Sequence, residues 1–367
     1  MYRQNKTRLK VTHCVIFYSK NYKGGIEKYV EEITREQNKT LTAKVMTTDE
    51  FSAKDNDFPA LRTKSWGVLL RTPMSPGLLR RKYYQDANLL HFHGPNPLLD
   101  LAARASNKPY VITLHNSFPL PRRGYQLANA VAKKLLERTL EKAKRIFIHQ
   151  ENFLPTMQLQ PGKIKNWREK IKIIHPGVDH TVFHPSKIKK ENTIVFMAHV
   201  RPEKGLHILQ KSLRYIKDKK NLEVQLLVTS SYRGNYLPRE FAAIEKIMNK
   251  KCVLKENPAQ EEIITTLQQA GCFVCPSLGL ESWNLAMLEA AACGAPIVRT
   301  DLPGLSWLHP PACLIARSGD AQDLAQKIST ALQQKETLGR NAWHAAREFS
   351  WQQTARQLID EYYEVLD

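Results

Sequence analysis

The sequence predicts an α/β protein with two domains, each a doubly wound parallel sheet covered by helices. Two observations support this prediction. The chain has 367 residues, which is long enough for two domains of ordinary size. In both halves of the chain, short apolar segments alternate with segments of helical periodicity, which is typical of parallel strands connected by helices.

The N-terminal half begins with a predicted strand over residues 11–18. Gly24 and Gly25 then form a turn, and residues 26–36 form a helix. A long helix over residues 126–144 carries apolar residues at helical spacing, at positions 127, 131 and 135 and at positions 128, 132, 136 and 140. Further strands are predicted at residues 89–93, 110–114 and 145–149. We assign residues 1–185 to the first domain.

The C-terminal half repeats this alternation, so we assign residues 186–349 to a second domain. One of its helices begins at Gly205, and a last helix covers residues 350–367. The predicted strands are residues 193–198, 223–229, 270–275 and 296–300. Open sheets of this kind bind ligands at the carboxyl ends of their strands, so a cleft between the domains is the predicted site.

Composition indicates a globular protein kept in a reducing compartment. Hydrophobic residues make up 42% of the chain, and its six cysteines have no regular spacing. Cys272 and Cys275 have CxxC spacing, but three steps along a strand place the two sulfurs on opposite faces, so we expect buried core cysteines. The N-terminus is too polar for a signal peptide and no segment reaches the length of a membrane span, which favours a cytoplasmic location.

Two glutamates eight residues apart form the most informative motif. Glu281 is predicted to lie in a loop, and Glu289 on a short apolar helix that begins near Ser282 and ends before Gly294 and Pro296. A buried carboxylate is costly unless it is paired or hydrogen-bonded. The hydroxyls of a sugar would provide such hydrogen bonds.

A second motif, residues 198–205, directly follows a predicted strand and opens a helix. It contains His199, Arg201 and Lys204, and a cation beside the start of a helix suits a nucleotide diphosphate. Gly24 and Gly25 occupy the corresponding strand-to-helix turn of the first domain. Glycines there allow the backbone to approach a phosphate or sugar closely.

These motifs resemble the signature of retaining glycosyltransferases of the GT-B fold, family four, which includes many bacterial polysaccharide and lipopolysaccharide enzymes. The resemblance implies two Rossmann-like domains facing a cleft, with the helix over residues 350–367 packed back on the first. It implies that Glu281 contacts the donor sugar and that Glu289 holds the nucleotide ribose. The neighbouring residues included in the donor site are Ser282, Trp283, Asn284 and Leu285; the family usually has Phe-Gly in place of Trp283-Asn284.

The resemblance also assigns the second motif to the donor diphosphate. Lys204 matches the family's lysine, whereas His199 stands at the position of the family's arginine, and Arg201 is the alternative second cation. Gly24 and Gly25 match the family's Gly-Gly-x-Glu motif.

His115 matches the histidine of the family's Thr-x-His-Asp motif, which contacts the donor sugar, although Asn116 replaces the acid. We therefore expect His115, Lys204 and Glu281 to be catalytic. His91 and His93 end an earlier strand, and His93 is a candidate for the acceptor side. A structural role for these two histidines remains equally open.

No cofactor or metal is expected, because the nucleotide-diphosphate sugar is a co-substrate and lysine and helix amides can neutralise its charge. Asp55, Asn56 and Asp57 resemble the metal-binding motif of the other main glycosyltransferase fold. They lie in a polar stretch, so a solvated loop is the preferred interpretation.

The net charge of +20 is concentrated in the first domain. Residues 1–185 contain 32 lysines and arginines against 15 acidic residues, a net charge of +17. Such charge indicates nucleic acid or an anionic membrane as a partner, and the sequence contains no zinc-finger spacing or RNP-like aromatic string. Two basic clusters lie among apolar and aromatic residues, which suits a membrane surface. Their arginines are Arg80, Arg81, Arg122 and Arg123.

These observations predict an enzyme peripheral to the inner face of the cytoplasmic membrane. It would transfer a sugar from a nucleotide-diphosphate donor to a glycolipid or polysaccharide acceptor, such as lipopolysaccharide or another cell-envelope glycan, with retention of configuration. The alternatives are a GT-B phosphorylase, a nucleotide-sugar epimerase and, from another class, a basic nucleic-acid-binding protein. The sequence leaves the base of the nucleotide open.

Overall fold

The structure is a computed structural model that describes residues 8–16, 24–48, 60–69, 72–115, 126–152, 166–187, 191–229, 236–279 and 281–367. The chain divides into two units. Unit 1 comprises Met1–Pro176 and Trp351–Asp367, and unit 2 comprises Gly177–Ser350. The break therefore falls after Pro176 instead of after residue 185, because Val178 and Phe183 belong to a hydrophobic core of unit 2.

Unit 1 is built on a parallel sheet flanked by helices. Its strands are β1 (Lys10–Cys14), β2 (Thr42–Thr48), β3 (Ala60–Thr63), β6 (Leu89–Gly94), β7 (Tyr110–Leu114), β8 (Ile146–Ile148) and β9 (Ile171–Ile173), with a small hairpin of β4 (Val68–Leu69) and β5 (Thr72–Pro73). Its helices are α1 (Gly25–Gln37), α2 (Pro97–Ser106), α3 (Gln126–Lys142), α4 (Trp167–Lys170) and α11 (Trp351–Glu364), with 3₁₀ turns at Pro76–Leu79 and Arg81–Tyr83. The sheet order is β3-β2-β1-β6-β7-β8-β9, all parallel.

The two faces of this sheet differ in chemistry. One face carries an apolar core that includes Leu90 and Phe92 of β6 and Leu136 and Leu140 of α3. Because side chains alternate along a strand, the intervening residues point to the other face. There β1, β6 and β7 present polar side chains, and α1 and α11 pack with them through Tyr29 and Tyr362. Unit 1 therefore has an apolar face and a buried polar face.

Helix α3 buries residues of only one of its two predicted apolar stripes. Leu136 and Leu140 are buried, whereas Leu127 is 80% and Val131 61% exposed. Helix α11, which the sequence predicted over residues 350–367, belongs to unit 1 and packs against α1. Among the described residues, no helix is both long and apolar enough to cross a membrane.

Unit 2 repeats the parallel architecture. Its strands are β10 (Thr193–His199), β11 (Glu223–Thr229), β12 (Cys252–Glu256), β13 (Cys272–Cys275), β14 (Ile297–Thr300) and β15 (Leu314–Ala316), in the order β12-β11-β10-β13-β14-β15. Its helices are α5 (Leu206–Ser212), α6 (Tyr236–Ile247), α7 (Gln260–Gln269), α8 (Leu285–Ala292), α9 (Ala321–Gln333) and α10 (Lys335–Ala346), with 3₁₀ turns at Pro202–Lys204 and Pro303–Leu305. The predicted fold class, two parallel-sheet α/β domains, is confirmed.

Both faces of the unit 2 sheet are apolar. Cys272 lies in the core on one face and Cys275 in the core on the other, as the strand spacing predicted. Burial raises the pKa of both thiols, to about 12 for Cys275. These cysteines are therefore protonated core residues.

Candidate active site

A partly buried ion pair joins the two strongest sequence motifs. Lys204 ends the 3₁₀ turn that follows β10, and Glu281 lies in the loop between β13 and α8. The Lys204 ammonium donates a hydrogen bond of 2.7 Å to Glu281 Oε1, and Ser277 Oγ donates one of 2.8 Å to the same oxygen. Burial disfavours the charged Lys204, but the Glu281 carboxylate outweighs burial and raises the pKa of the ammonium. The Lys204 ammonium is therefore charged at neutral pH.

Two glycines allow the loops around this pair to pack closely. Gly205 has φ +75°, and a Cβ atom on it would lie 1.8 Å from the carbonyl oxygen of Pro276. A Cβ atom on Gly304 would lie 1.5 Å from the carbonyl oxygen of Glu281. Any larger residue at either position would displace the loop that carries Glu281.

Helix α8 begins at Leu285, three residues after the predicted start at Ser282, because the Asn284 side chain caps it. Asn284 Oδ1 accepts a hydrogen bond of 2.9 Å from the Met287 amide, and its Nδ2 donates to Cys275 Sγ at 3.1 Å. Asn284 thus ties the start of the helix to β13. Glu289 lies on this helix and is buried, at 8% exposure.

The Trp283 side chain packs against other aromatic side chains within unit 2. Its ring stacks on Trp307, with centroids 5.1 Å apart, and meets the edge of Phe349 at 5.2 Å. Ser282 is buried and Leu285 is half-buried. Trp283 therefore supports the Glu281 loop from inside the unit, and its contact with the donor stays a prediction.

His199 and Arg201 occupy different environments near Lys204. His199 ends β10, and its Nδ1 lies 3.2 Å from Thr229 Oγ1. Burial, together with the charges of Arg201 and Lys204, lowers the pKa of His199 to about 4. The Arg201 side chain is 45% exposed and lies 3.9 Å from Glu203. His199 is therefore neutral where the family has a cation, and Arg201 is a partly exposed cation at the same junction.

The predicted site residues of unit 1 lie at two places. Gly24 caps α1, where a Cβ atom would meet the Glu27 carboxylate, and Gly25 is the first residue of the helix. His93 and His115 are buried on the polar face of the sheet. The two ring nitrogens of His115 lie 2.9 Å from His93 Nδ1 and 3.1 Å from His149 Nε2. Both nitrogens of His115 are thus engaged, and its catalytic role stays a prediction.

The basic clusters are described only in part. Arg80 and Arg81 are exposed, and Arg81 Nε donates to the carbonyl of Ala105 at 3.0 Å. Six residues named in the sequence analysis lie outside the described part of the chain: Asp55, Asn56, Asp57, Asn116, Arg122 and Arg123.

Comparison with known families covers most of the chain. Residues 23–182 match the family described as Glycosyltransferase Family 4, and residues 179–348 match the one described as Glycosyl transferases group 1. The chain belongs to the GT-B glycosyltransferases. The predicted family is therefore confirmed, and the Lys204–Glu281 pair lies within the second matched region.

Individual GT-B relatives are distant. The D-inositol 3-phosphate glycosyltransferase of Paenarthrobacter aurescens (strain TC1) is 28% identical over 221 residues, which are 54% of this chain and 52% of that protein. WcaL of Escherichia coli (strain K12), assigned to colanic acid biosynthesis as a glycosyltransferase, is 27% identical over 225 residues, 54% of this chain and 51% of WcaL. The chain spans about half the length of the curated relatives it matches.

Solved GT-B structures share the fold. The structure of Anabaena Alr3699/HepE in complex with UDP and glucose has a TM-score of 0.77 and 17% sequence identity. The alignment covers 97% of this chain and 100% of that chain. At this identity the similarity establishes the architecture.

Sequence reasoning missed two contributors to the site. Ser277 precedes Glu281 by four residues, but nothing in the sequence marks its hydroxyl as a donor to Glu281. Gly304 follows Leu302-Pro303, a turn signal that could have pointed to a close backbone approach. Both become visible only when β13 and β14 are placed side by side.

Proposed function

We propose that this protein transfers a sugar from a nucleotide-diphosphate donor to a hydroxyl of a glycolipid or polysaccharide of the cell envelope, with retention of the anomeric configuration. The Lys204–Glu281 pair carries this proposal. It sets an ammonium beside a buried carboxylate at the carboxyl ends of β10 and β13, where open parallel sheets bind their ligands.

The pair provides chemistry for both parts of the donor. Lys204 neutralises the diphosphate and stabilises the charge that develops on it as the bond to the sugar breaks. Glu281, held by Ser277 and Lys204, accepts hydrogen bonds from hydroxyls of the donor sugar. Glu289 holds the ribose. The departing diphosphate takes the proton of the attacking hydroxyl, so the transfer at this site needs no metal and no separate carboxylate base.

We take a UDP-sugar as the first donor candidate. The support is the Anabaena structure, which contains UDP and glucose and has the same fold. WcaL, with its assignment to colanic acid biosynthesis, supports a polysaccharide acceptor. The names of the inositol phosphate glycosyltransferases support a phosphorylated polyol acceptor as the second choice.

Membrane attachment on the cytoplasmic side completes the proposal. Its support is the charge of +17 in residues 1–185, together with exposed apolar side chains in unit 1. Trp66 is 76% exposed, and Leu79, at 37%, directly precedes Arg80 and Arg81. Basic and aromatic residues of this kind suit the headgroup layer of an anionic membrane.

A panel of nucleotide sugars tests the enzymatic proposal. The native protein should be stabilised against heat by one nucleotide-diphosphate sugar, because a ligand that binds only the folded state raises the melting temperature. That donor should be consumed only when an acceptor is present, and NMR of the product should show the anomeric configuration of the donor. Conversion of the donor without acceptor supports an epimerase, and formation of a sugar phosphate from a glycan and added inorganic phosphate supports a phosphorylase.

A vesicle sedimentation assay tests the membrane proposal. The wild-type protein should pellet with anionic vesicles and not with zwitterionic ones, and added salt should release it. Changing Arg80, Arg81, Arg122 and Arg123 to serine should reduce pelleting. Salt-sensitive binding to duplex DNA, without binding to vesicles or nucleotide sugars, would instead support a nucleic-acid-binding protein.

A further inference from the structure

Four buried histidines form a continuous chain of contacts on the polar face of the unit 1 sheet. His13 Nδ1 lies 3.0 Å from His93 Nε2, His93 Nδ1 lies 2.9 Å from His115 Nε2, and His115 Nδ1 lies 3.1 Å from His149 Nε2. The chain ends at two oxygens. His13 Nε2 lies 2.7 Å from Gln37 Oε1, and His149 Nδ1 lies 3.1 Å from the carbonyl oxygen of Ile174.

The oxygens at the two ends determine where the ring protons lie. A carbonyl oxygen can only accept, so His149 Nδ1–H donates to Ile174 and His149 Nε2 carries a lone pair. That lone pair accepts from His115 Nδ1–H, and His115 Nε2 in turn accepts from His93 Nδ1–H. His93 Nε2 is left with a lone pair.

Assigning the protons from the Gln37 end of the chain leaves His13 with a lone pair as well. Its Nε2–H donates to Gln37 Oε1, so a neutral His13 has a lone pair on Nδ1. This lone pair faces that of His93 across 3.0 Å. Four neutral imidazoles supply four protons for five contacts, and the missing one falls between His13 and His93.

A branch of hydrogen bonds is compatible with this orientation of the Gln37 amide. Its Nε2 donates to Tyr362 Oη at 3.2 Å, and Tyr362 Oη donates to His91 Nδ1 at 2.5 Å. His91 Nε2–H then donates to Thr113 Oγ1 at 2.6 Å. In this arrangement these three hydrogen bonds each have a donor and an acceptor, and Gln37 Oε1 faces His13.

We propose that His13, His91 and His93 hold a divalent metal ion that prefers imidazole ligands, with Zn²⁺ as the first candidate. One nitrogen from each lies within 4.8 Å of the others. His13 and His91 are register partners on β1 and β6, and His91 and His93 share a face of β6. Two nitrogens bound tetrahedrally to zinc at about 2.0–2.1 Å are roughly 3.3 Å apart, so His13 and His93 need to separate by only a few tenths of an ångström.

The surroundings match those of a metal site. A ligating histidine usually donates its other ring N–H to an oxygen or a similar acceptor, which fixes its tautomer. Gln37 accepts from His13, and His115 accepts from His93, in this way. His91 joins the ion by exchanging one of its two present contacts, to Tyr362 or Thr113, for the metal. The ion would tie β1 to β6 in the interior of unit 1.

Metal content and spectroscopy test the proposal on the full-length protein. Purified protein should carry one Zn²⁺ per chain, and after chelation it should take up one Co²⁺ with the visible absorption of nitrogen-coordinated cobalt. Added Zn²⁺ should raise the melting temperature of the chelated protein. Protein that takes up neither ion, and is not stabilised by them, overturns the proposal and indicates that a proton or a turned Gln37 amide joins the two histidines.

Three variants identify the site, with metal binding as the readout. His93→Gln should abolish uptake of the ion. Gln37→Leu should weaken its affinity by about 10- to 100-fold, as loss of a partner of a metal ligand typically does. His149→Gln is the matched control: it changes a histidine of the same chain that is not a ligand, and it should keep one ion. Retention of the ion by His93→Gln, or its equal loss in His149→Gln, overturns the assignment.

Discussion

Replacing Lys204 by methionine should separate the two roles of the ion pair. The variant keeps the aliphatic stem of the side chain but removes the ammonium. Ser277 then remains as a donor to the Glu281 carboxylate, which is 6% exposed. Removing one member of a buried pair typically costs about 3–5 kcal/mol. Because the Lys204 side chain is 27% exposed and water screens part of the charge, we expect the free energy of unfolding to fall by about 2 kcal/mol.

The double variant Lys204→Met/Glu281→Gln provides the control. It leaves no uncompensated buried charge, so urea unfolding should show it to be more stable than Lys204→Met alone. UDP binding should weaken by about 10- to 100-fold in Lys204→Met, since a hydrogen bond to a charged group contributes about 1.5–3 kcal/mol, whereas uridine binding should not change. Equal losses for UDP and uridine, or equal stability of the single and double variants, would refute the reasoning.

Three further predictions follow from single residues. Gly304→Ala should reduce the donor affinity measured by titration calorimetry, because it displaces the Glu281 carbonyl. Gly279→Ala, whose Cβ atom meets nothing within 4 Å, should leave that affinity unchanged. Burial raises the pKa of Asp100 to about 7, so the folded state keeps a proton that the unfolded state releases near pH 3.8. The free energy of unfolding therefore falls as pH rises between these two values. Urea unfolding should show that Asp100→Asn stabilises the protein by up to about 4 kcal/mol at about pH 8 and by less at about pH 5. With its pKa at about 4, His199 is neutral, so His199→Gln should leave the pH dependence of UDP affinity unchanged between about pH 6 and pH 8, whereas a changed profile would show that the histidine titrates there.

The sequence predicted strands best where apolar residues form compact runs. The bounds of β7 and β11 match the predicted ones, and both strands are rich in apolar and β-branched residues between polar flanks. Strand β2 (Thr42–Thr48) was missed because its threonines and lysine leave Val45-Met46 as its longest apolar run. For α3, both stripes were compatible with a core, and only the placement of α2 and the sheet selects the one containing Leu136 and Leu140.

The donor motifs were found from sequence, but their pairing was not. Lys204 and Glu281 are 77 positions apart, and each was assigned to a different part of the donor. Their hydrogen bond follows from the sheet order, which places β13 beside β10 and so brings together the loops at their carboxyl ends. The same adjacency explains the glycine at position 205, whose contact with Pro276 is invisible in a linear motif.

The polar face of unit 1 shows why some chemistry requires the fold. A single histidine such as His13 or His149 carries no pattern in the sequence. Of the histidines on this face, the sequence indicated a role only for His91, His93 and His115. Sheet order places β1 beside β6 and sets His13 opposite His91. Ring protons can then be assigned from the acceptors at the two ends of the chain, and that assignment leaves lone pairs facing each other on His13 and His93. A metal ion bound between these rings would satisfy both lone pairs without placing a buried histidinium there.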